Sequence, residues 1–183
     1  MTKNAVSIII PAYNEAKTIH LILNKVRDVE LINNLEKEIV IVDDCSSDDT
    51  VGAVEDYQSK NSELNIRLLK HTVNSGKGAA LHTGIAGATG KYVLIQDADL
   101  EYDPFEYNDL LRPLEEEVAD VVYGSRFMGG KPHRILFFWH TIGNKFLTLL
   151  SNAFTNLNLT DMETCYKVFR RDIIQSLRLK EKR

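Results

Sequence analysis

The chain has 183 residues, 44% of them hydrophobic, which suffices for one sizeable domain with a buried core and excludes extensive disorder. Lys plus Arg number 22 and Asp plus Glu 26, a net charge of −4 that is the wrong balance for a general nucleic-acid binder, although a locally basic site can still hold a small anion. Two cysteines, Cys45 and Cys165, without Cys-x-x-Cys spacing or clustered His, exclude a zinc site and demand no disulfide. The N-terminus leads into a strand-like segment with no signal-peptide pattern, so a reducing, cytoplasmic compartment is expected. No apolar run approaches the roughly 20 residues that span a bilayer.

In chain order, residues 6–10 read as an apolar strand closed by Pro11. Ile19, Ile22, Leu23 and Val26 then recur at helical spacing. Residues 39–42 form a second strand, followed by Asp43 and Asp44. Ser46, Ser47, Asp48 and Asp49 supply caps for a helix through Val51 and Val54. Residues 66–69 are a third strand, 76–88 a helix whose small side chains suit close packing on a sheet, and 92–95 a fourth strand. Pro104 fits the first turn of a helix through Leu110, Leu111 and Leu114, and residues 121–123 are a fifth strand. This alternation predicts an α/β domain: a single Rossmann-like unit with a mostly parallel central sheet and helices on both faces. Such sheets bind ligands beyond the carboxyl ends of their strands, and the polar clusters of this chain fall there.

After Gly129 and Gly130 the character changes. Ile135, Phe138, Trp139, Ile142, Phe146, Leu149, Leu150 and Ala153 make one helical stripe within residues 134–156, and Leu136, Phe137 and Leu147 widen it. Two readings stay open: a core helix, favoured on base rates, and a helix that touches a membrane surface or a second subunit. Residues 166–169 then resemble a short strand entering a last helix.

The most telling segment is Asp97-Ala98-Asp99-Leu100-Glu101, directly after the fourth strand. Carboxylates this close repel one another unless a cation sits among them. Hard divalent ions such as Mg²⁺ or Mn²⁺ take oxygen ligands and keep positions for phosphate oxygens. Asn74-Ser75-Gly76-Lys77-Gly78 opens a helix but is neither a Walker A nor a dinucleotide motif; what it offers an anion is a helix N-terminus and a lysine. Asp43-Asp44 suits either a base or ribose hydroxyl or a capping turn with Ser46. Arg126 suits phosphate oxygens or a surface ion pair. Asp161, Glu163, Lys167 and Arg170 form a charged cluster in which an acid is a candidate base and Lys167 or Arg170 a candidate anion holder.

Together with residues 7–15 (ending Pro11-Ala12-Tyr13-Asn14-Glu15), 42–48 and Gly124-Ser125-Arg126-Phe127, these segments occur in an order that closely resembles glycosyltransferase family 2, nearest to its polyprenyl-phosphate sugar transferases. The resemblance implies the GT-A fold, a nucleotide-diphosphate sugar donor (UDP- or GDP-linked), a divalent metal and inversion at the anomeric carbon. By position, Pro11, Tyr13, Glu15 and Asp43 correspond to nucleoside contacts, and Asp97, Asp99 and Glu101 to the metal and diphosphate site; in such a reaction the metal and Lys77 would stabilise the departing diphosphate, where negative charge develops. Arg126 and Lys145 correspond to groups for an acceptor phosphate, and Asp161 is the first candidate base if the acceptor is instead a hydroxyl. A polyprenyl phosphate acceptor, with peripheral contact at the inner face of the cell membrane, is the expected arrangement, and homo-oligomers are compatible with it. The alternatives are transfer to a saccharide or protein hydroxyl, and a non-catalytic sugar-nucleotide-binding module. A nucleotidyltransferase ranks lower, because residues 11–15 lack the glycine-rich loop that holds a triphosphate. Relatives of this kind usually continue past a segment like residues 179–183, so the chain is expected to be truncated there or a short member.

Overall fold

The structure, a computed structural model, describes residues 3–127 and 138–181. Its strands are β1 (Lys3–Ala12), β2 (Glu36–Asp43), β3 (Asn65–Lys70), β4 (Gly90–Ile95), β5 (Val121–Tyr123) and β6 (Lys167–Arg170), and its helices are α1 (Ile19–Asp28), α2 (Thr50–Lys60), α3 (Lys77–Gly87), α4 (Tyr107–Glu115), α5 (Phe138–Thr155) and α6 (Arg171–Ser176). They build one six-stranded sheet in the order β3-β2-β1-β4-β6-β5. The first four strands of that order pair in parallel, and β6 runs antiparallel to both β4 and β5. The expected mostly parallel α/β sheet is therefore present, with one reversed strand.

β1 is buried on both faces. Ile8 and Ile10 pack with Ile22, Ile39, Leu94 and Tyr107 on one side, while Ile9 packs with Val40, Val93, Ala80 and Phe169 on the other. Burial on both faces is why the strand reads as a continuous β-branched run rather than an alternation. The small side chains of α3 let it lie close on the second face: a Cβ at Gly84 would come within 2.4 Å of Ile9 Cγ2. The strand continues one residue beyond Pro11. Ile9 carbonyl accepts from Gln96 N at 3.0 Å, so the N–H that Pro11 lacks falls on the β4 side, past the last β1–β4 pair, Ile9↔Ile95.

The order 3-2-1-4 has a functional consequence. The chain winds outward from β1 to β3 and then crosses back to place β4 on the other side of β1. The loops after β1 and β4 thus diverge, and a crevice opens between them at the carboxyl edge.

α5 departs from the core-helix reading. Its buried residues are polar, Asn144 and Thr148, whereas Phe138, Trp139, Phe146, Leu149 and Phe154 are exposed, Trp139 by 77%. The cause is a tertiary demand: Asn144 Nδ2 donates to the buried Asp161 at 2.7 Å and Thr148 Oγ1 donates to Asn144 at 3.0 Å, which turns the polar stripe inward. The expected start of this helix at Ile135, Leu136 and Phe137 lies outside the described residues. Among the described residues no helix is long and apolar enough to cross a membrane.

One buried charge ties the far end of the sheet together. Glu38, 1% exposed, accepts from Thr89 N and Oγ1 at 2.8 Å each, from Arg67 at 3.2 Å and from the Ser7 hydroxyl. Burial pushes its carboxyl up, but these donors outweigh burial and hold it at about 2 against an ordinary 4.5. A depressed native pKa adds stability that is complete above the unfolded value and is lost as pH falls through the folded one. Urea titrations should therefore show a contribution of about 3 kcal/mol at pH 7 that fades between roughly pH 4.5 and pH 2, and Glu38→Ala should remove that pH dependence along with the stability.

Candidate active site

Above the crevice lies a cavity of about 400 Å³. One wall is the loop leaving β1, with Pro11, Tyr13 and Glu15 facing in. Asn14 holds this loop in a left-handed conformation (φ 58°) and stitches it to the loop after β2: Asn14 N donates to Ser46 Oγ at 3.0 Å, and Asn14 Oδ1 accepts from Ser47 N at 2.8 Å. Glu15 N and Ala16 N add bonds to Thr50 Oγ1 and Asp48 Oδ2.

The two aspartates after β2 have separate tasks. Asp43 is spent within its own turn, accepting from Ser46 Oγ at 2.5 Å and Ser46 N at 3.2 Å. Asp44 is the one that lines the cavity. Its carboxylate, 4% exposed, accepts from Ser75 N at 2.9 Å, Gly76 N at 2.7 Å and His71 Nδ1 at 2.7 Å. Burial pushes the Asp44 carboxyl up, and those donors bring it below the usual range. Asp44 thereby anchors the loop that starts α3, where Gly76 adopts φ 91°. The anchored loop places the N-terminus of α3 and Lys77 at the cavity wall. Only the adjacency of two acids hinted at this role in the sequence.

The opposite wall comes from the segment after β4. Asp97 and Asp99 face the cavity, and Asp97 Oδ1 pairs with Lys77 Nζ at 2.5 Å. Burial pulls the Lys77 ammonium down, but its bond to Asp97 prevails and the pKa rises. Asp99 Oδ1 accepts from Glu101 N at 3.0 Å across Leu100, which adopts φ 62°. That turn sends Glu101 into a second cavity of about 240 Å³. Among the described residues no three carboxylate, His or Cys side chains stand close enough to hold a metal; the expected third ligand, Glu101, faces away from Asp99's cavity. The remaining pair, Asp97 and Asp99, still fits a hard divalent ion, which binds through one or two carboxylates plus substrate phosphates.

Beneath this loop sits a support not foreseen from the sequence. Gln96 is fully buried; its Oε1 accepts from Tyr107 OH at 2.8 Å and Tyr166 OH at 3.1 Å, and its Nε2 donates to Asp97 O at 2.9 Å. Tyr102 packs at a tilt against Tyr166 with ring centres 4.6 Å apart, and its hydroxyl accepts from Cys165 N at 3.0 Å. Burial and Asp97 raise the Cys165 thiol well above its ordinary range.

Lys77 and Asp97 also line the second cavity, so the two spaces adjoin across that pair. Arg126 and Lys167 face the second cavity. Arg126 forms a two-pronged pair with Asp161, Nε to Oδ2 at 2.7 Å and Nη2 to Oδ1 at 2.9 Å. Asp161 also accepts from Asn144, and although burial pushes its carboxyl up, these bonds hold it below the usual range. A carboxylate so engaged is a poor proton acceptor, and Asp161 is an anchor for Arg126 rather than a free base. Lys145 is not brought to either cavity; its ammonium lies 5.9 Å from the centre of the Phe127 ring. Arg170 is exposed and pairs with Asp120 and Asp172 away from the cleft.

The fold and cleft define an α/β domain whose ligand site straddles the switch point of a mostly parallel sheet. More narrowly, the chain belongs to glycosyl transferase family 2, whose sequence model matches residues 7–178. It is 37% identical over 130 residues to dolichyl-phosphate beta-glucosyltransferase of Dictyostelium discoideum, covering 66% of this chain and 39% of that protein. It is 26% identical over 173 residues to dodecaprenyl-phosphate galacturonate synthase of Rhizobium johnstonii, covering 94% and 50%. The chain thus spans half or less of the length of these relatives. Among solved structures, mannosyltransferase PcManGT from Pyrobaculum calidifontis, in complex with GDP-Man and Mn²⁺, aligns with TM-score 0.72 at 22% identity over 100% of this chain and 50% of that one. S. aureus TarS 1-349, in complex with UDP, aligns with TM-score 0.63 at 26% identity, over 94% and 48%. The fold is the GT-A fold implied by the motifs.

Removing the Asp161 carboxylate leaves the half-buried Arg126 without its counter-charge. Asp161→Ala should destabilise the protein by about 3 kcal/mol in urea denaturation. A double-mutant cycle with Arg126→Ala should recover a coupling of about 1–3 kcal/mol.

Proposed function

We propose that the protein is an inverting, metal-dependent glycosyltransferase that moves a sugar from a nucleotide-diphosphate donor to a polyprenyl phosphate. The observation that carries this is the pair of adjoining cavities, which share Lys77 and Asp97 as a common wall. In this reading the first cavity takes the donor. Tyr13 and Glu15 face the nucleoside, and the α3 N-terminus with Lys77 faces the diphosphate, where negative charge develops as the sugar leaves. Asp97 and Asp99 would hold Mg²⁺ or Mn²⁺, which supplies Lewis-acid stabilisation of that leaving group. The acceptor enters the second cavity beside Arg126 and attacks the opposite face of the sugar carbon.

The engagement of Asp161 favours a phosphate acceptor over a hydroxyl. An ionised phosphate needs positioning more than deprotonation, and the expected base is already committed to Arg126 and Asn144. The relatives named for dolichyl-phosphate and dodecaprenyl-phosphate chemistry support the same choice. So does α5: its polar stripe holds Asp161, while its exposed face carries Trp139, Phe146 and Phe154. Such a face beside the acceptor cavity suits peripheral contact with the membrane that carries the lipid.

Thermal-shift measurements with UDP- and GDP-sugars test the donor end. Stabilisation should require both the matching nucleotide and a divalent metal and should grow with ligand excess. Asp99→Asn should abolish the metal-dependent part while leaving the unliganded melting temperature within a few degrees, roughly the shift of 1 kcal/mol. Liposome flotation tests the membrane contact. The wild-type chain should float with vesicles containing polyprenyl phosphate, Trp139→Glu/Phe146→Glu should stay at the bottom, and sedimentation of the wild type as well would remove the support that α5 gives.

A further inference from the structure

The cations around the second cavity are not equivalent. Lys77 is tied to Asp97 at 2.5 Å. Arg126 is tied to the fully buried Asp161 through Nε and Nη2. Lys167 lies within ion-pair distance of no carboxylate among the described residues. Its ammonium donates to the Thr164 carbonyl at 2.5 Å and stands 5.2 Å from the centre of the Tyr123 ring. Both contacts fix its position, and neither cancels its charge. Burial pulls the Lys167 ammonium below its ordinary range, and the more distant charges of Asp161 and Asp97 do not restore it.

A second, independent feature lies beside it. Thr164 faces the same cavity and is 0% exposed, and its Oγ1 has no hydrogen-bond partner. The Tyr102 hydroxyl, which accepts from Cys165 N, is close enough to feel Thr164 but makes no hydrogen bond to it. A buried hydroxyl left unmade costs about 1–3 kcal/mol, so one kept at a cavity wall calls for a ligand atom. Glu101 and Glu163 also face this space, but both are exposed, where solvent and salt screen them.

We propose that Lys167 and Thr164 form the subsite for the anionic group of the acceptor, a phosphate monoester. The ammonium supplies the uncompensated charge and the hydroxyl one short hydrogen bond. The assignment rests on the sugar-transfer reading and fixes its acceptor end: Arg126, neutralised by Asp161, shapes the wall, and Lys167 holds the phosphate.

Calorimetric titration of the whole chain with dodecyl phosphate below its micelle concentration, with inorganic phosphate, and separately with UDP and GDP tests it. At least one phosphate probe should bind saturably. Lys167→Met should weaken that binding about 10-fold or more, Lys167→Arg should stay within about 3-fold, and Thr164→Val should lose roughly 3- to 10-fold, with circular dichroism confirming the fold of each. Nucleoside diphosphate affinity should be unchanged in all three. Binding of dodecyl phosphate alone identifies a lipid headgroup, and equal binding of both probes identifies the bare phosphate group as what is recognised; either supports the subsite. Wild type that binds neither probe, or Lys167→Met that binds like wild type, overturns it. If phosphate binds in a Lys167-dependent way but neither UDP nor GDP binds, the sugar-transfer reading falls and the acceptor assignment with it, while an anion subsite stands.

Discussion

The site depends on one topological constraint, the reversal of winding between β1 and β4. Because the chain builds β2 and β3 on one side of β1 and returns to lay β4 on the other, two neighbouring strands send their outgoing loops in opposite directions. Backbone that leaves a sheet this way has no ladder to satisfy it and must find other partners. Side chains supply them here. Asn14 and Thr50 hold the loop after β1, Asp44 holds the loop before α3, and Gln96 holds the main chain at Asp97. Three of these supports, Thr50, Asp44 and Gln96, are buried polar groups behind the cleft. Asp44 and Gln96 shape the cleft without supplying its proposed chemistry.

The second constraint is electrostatic. A chain with net charge −4 that takes the proposed anionic ligand must present cations to it without scattering them in water. It does so by pairing them: Lys77 with Asp97, Arg126 with Asp161. A paired cation is held in place and loses little freedom when a ligand arrives, but its net attraction is small. Preorganisation and net charge thus come from different residues. In the second cavity, Arg126 offers geometry and Lys167 offers charge.

Much of the architecture was legible because its causes are local. Ile8, Ile9 and Ile10 announce a doubly buried strand, Pro104 a 3₁₀ turn that leads into α4 rather than the first turn of α4 itself, and the polar clusters after β1, β2 and β4 the edge that lines the cavities. What was not legible depends on partners far along the chain. Nothing near Asp161 says that Arg126, 35 residues away, will occupy it. Nothing in Asp43-Asp44 says which acid turns toward Ser46 and which toward Gly76. Glu101 is separated from Asp99 by a left-handed Leu100, a backbone choice that propensity disfavours for leucine and that sends two neighbouring acids into different cavities. The Gln96 and tyrosine cluster left no pattern at all, since Tyr102, Tyr107 and Tyr166 meet only in the folded chain.

The rotation of α5 shows how one buried contact can set the character of a whole surface. Apolar side chains on an 18-residue helix would ordinarily face the core, since each large one that stays in water forgoes about 1.5–3 kcal/mol of burial. Here Asn144 and Thr148, one turn apart, face inward because the Asp161 carboxylate needs Asn144, and because the Thr148 hydroxyl both donates to Asn144 and accepts from Met162 N at 3.2 Å. These polar contacts fix the rotation of the helix, and its apolar face is left at the surface. Asp161 in turn sets Arg126, so the helix surface and the wall of the second cavity turn as one piece. The apolar face of α5 and the wall of the second cavity thus share one polar chain, from Thr148 through Asn144 and Asp161 to Arg126.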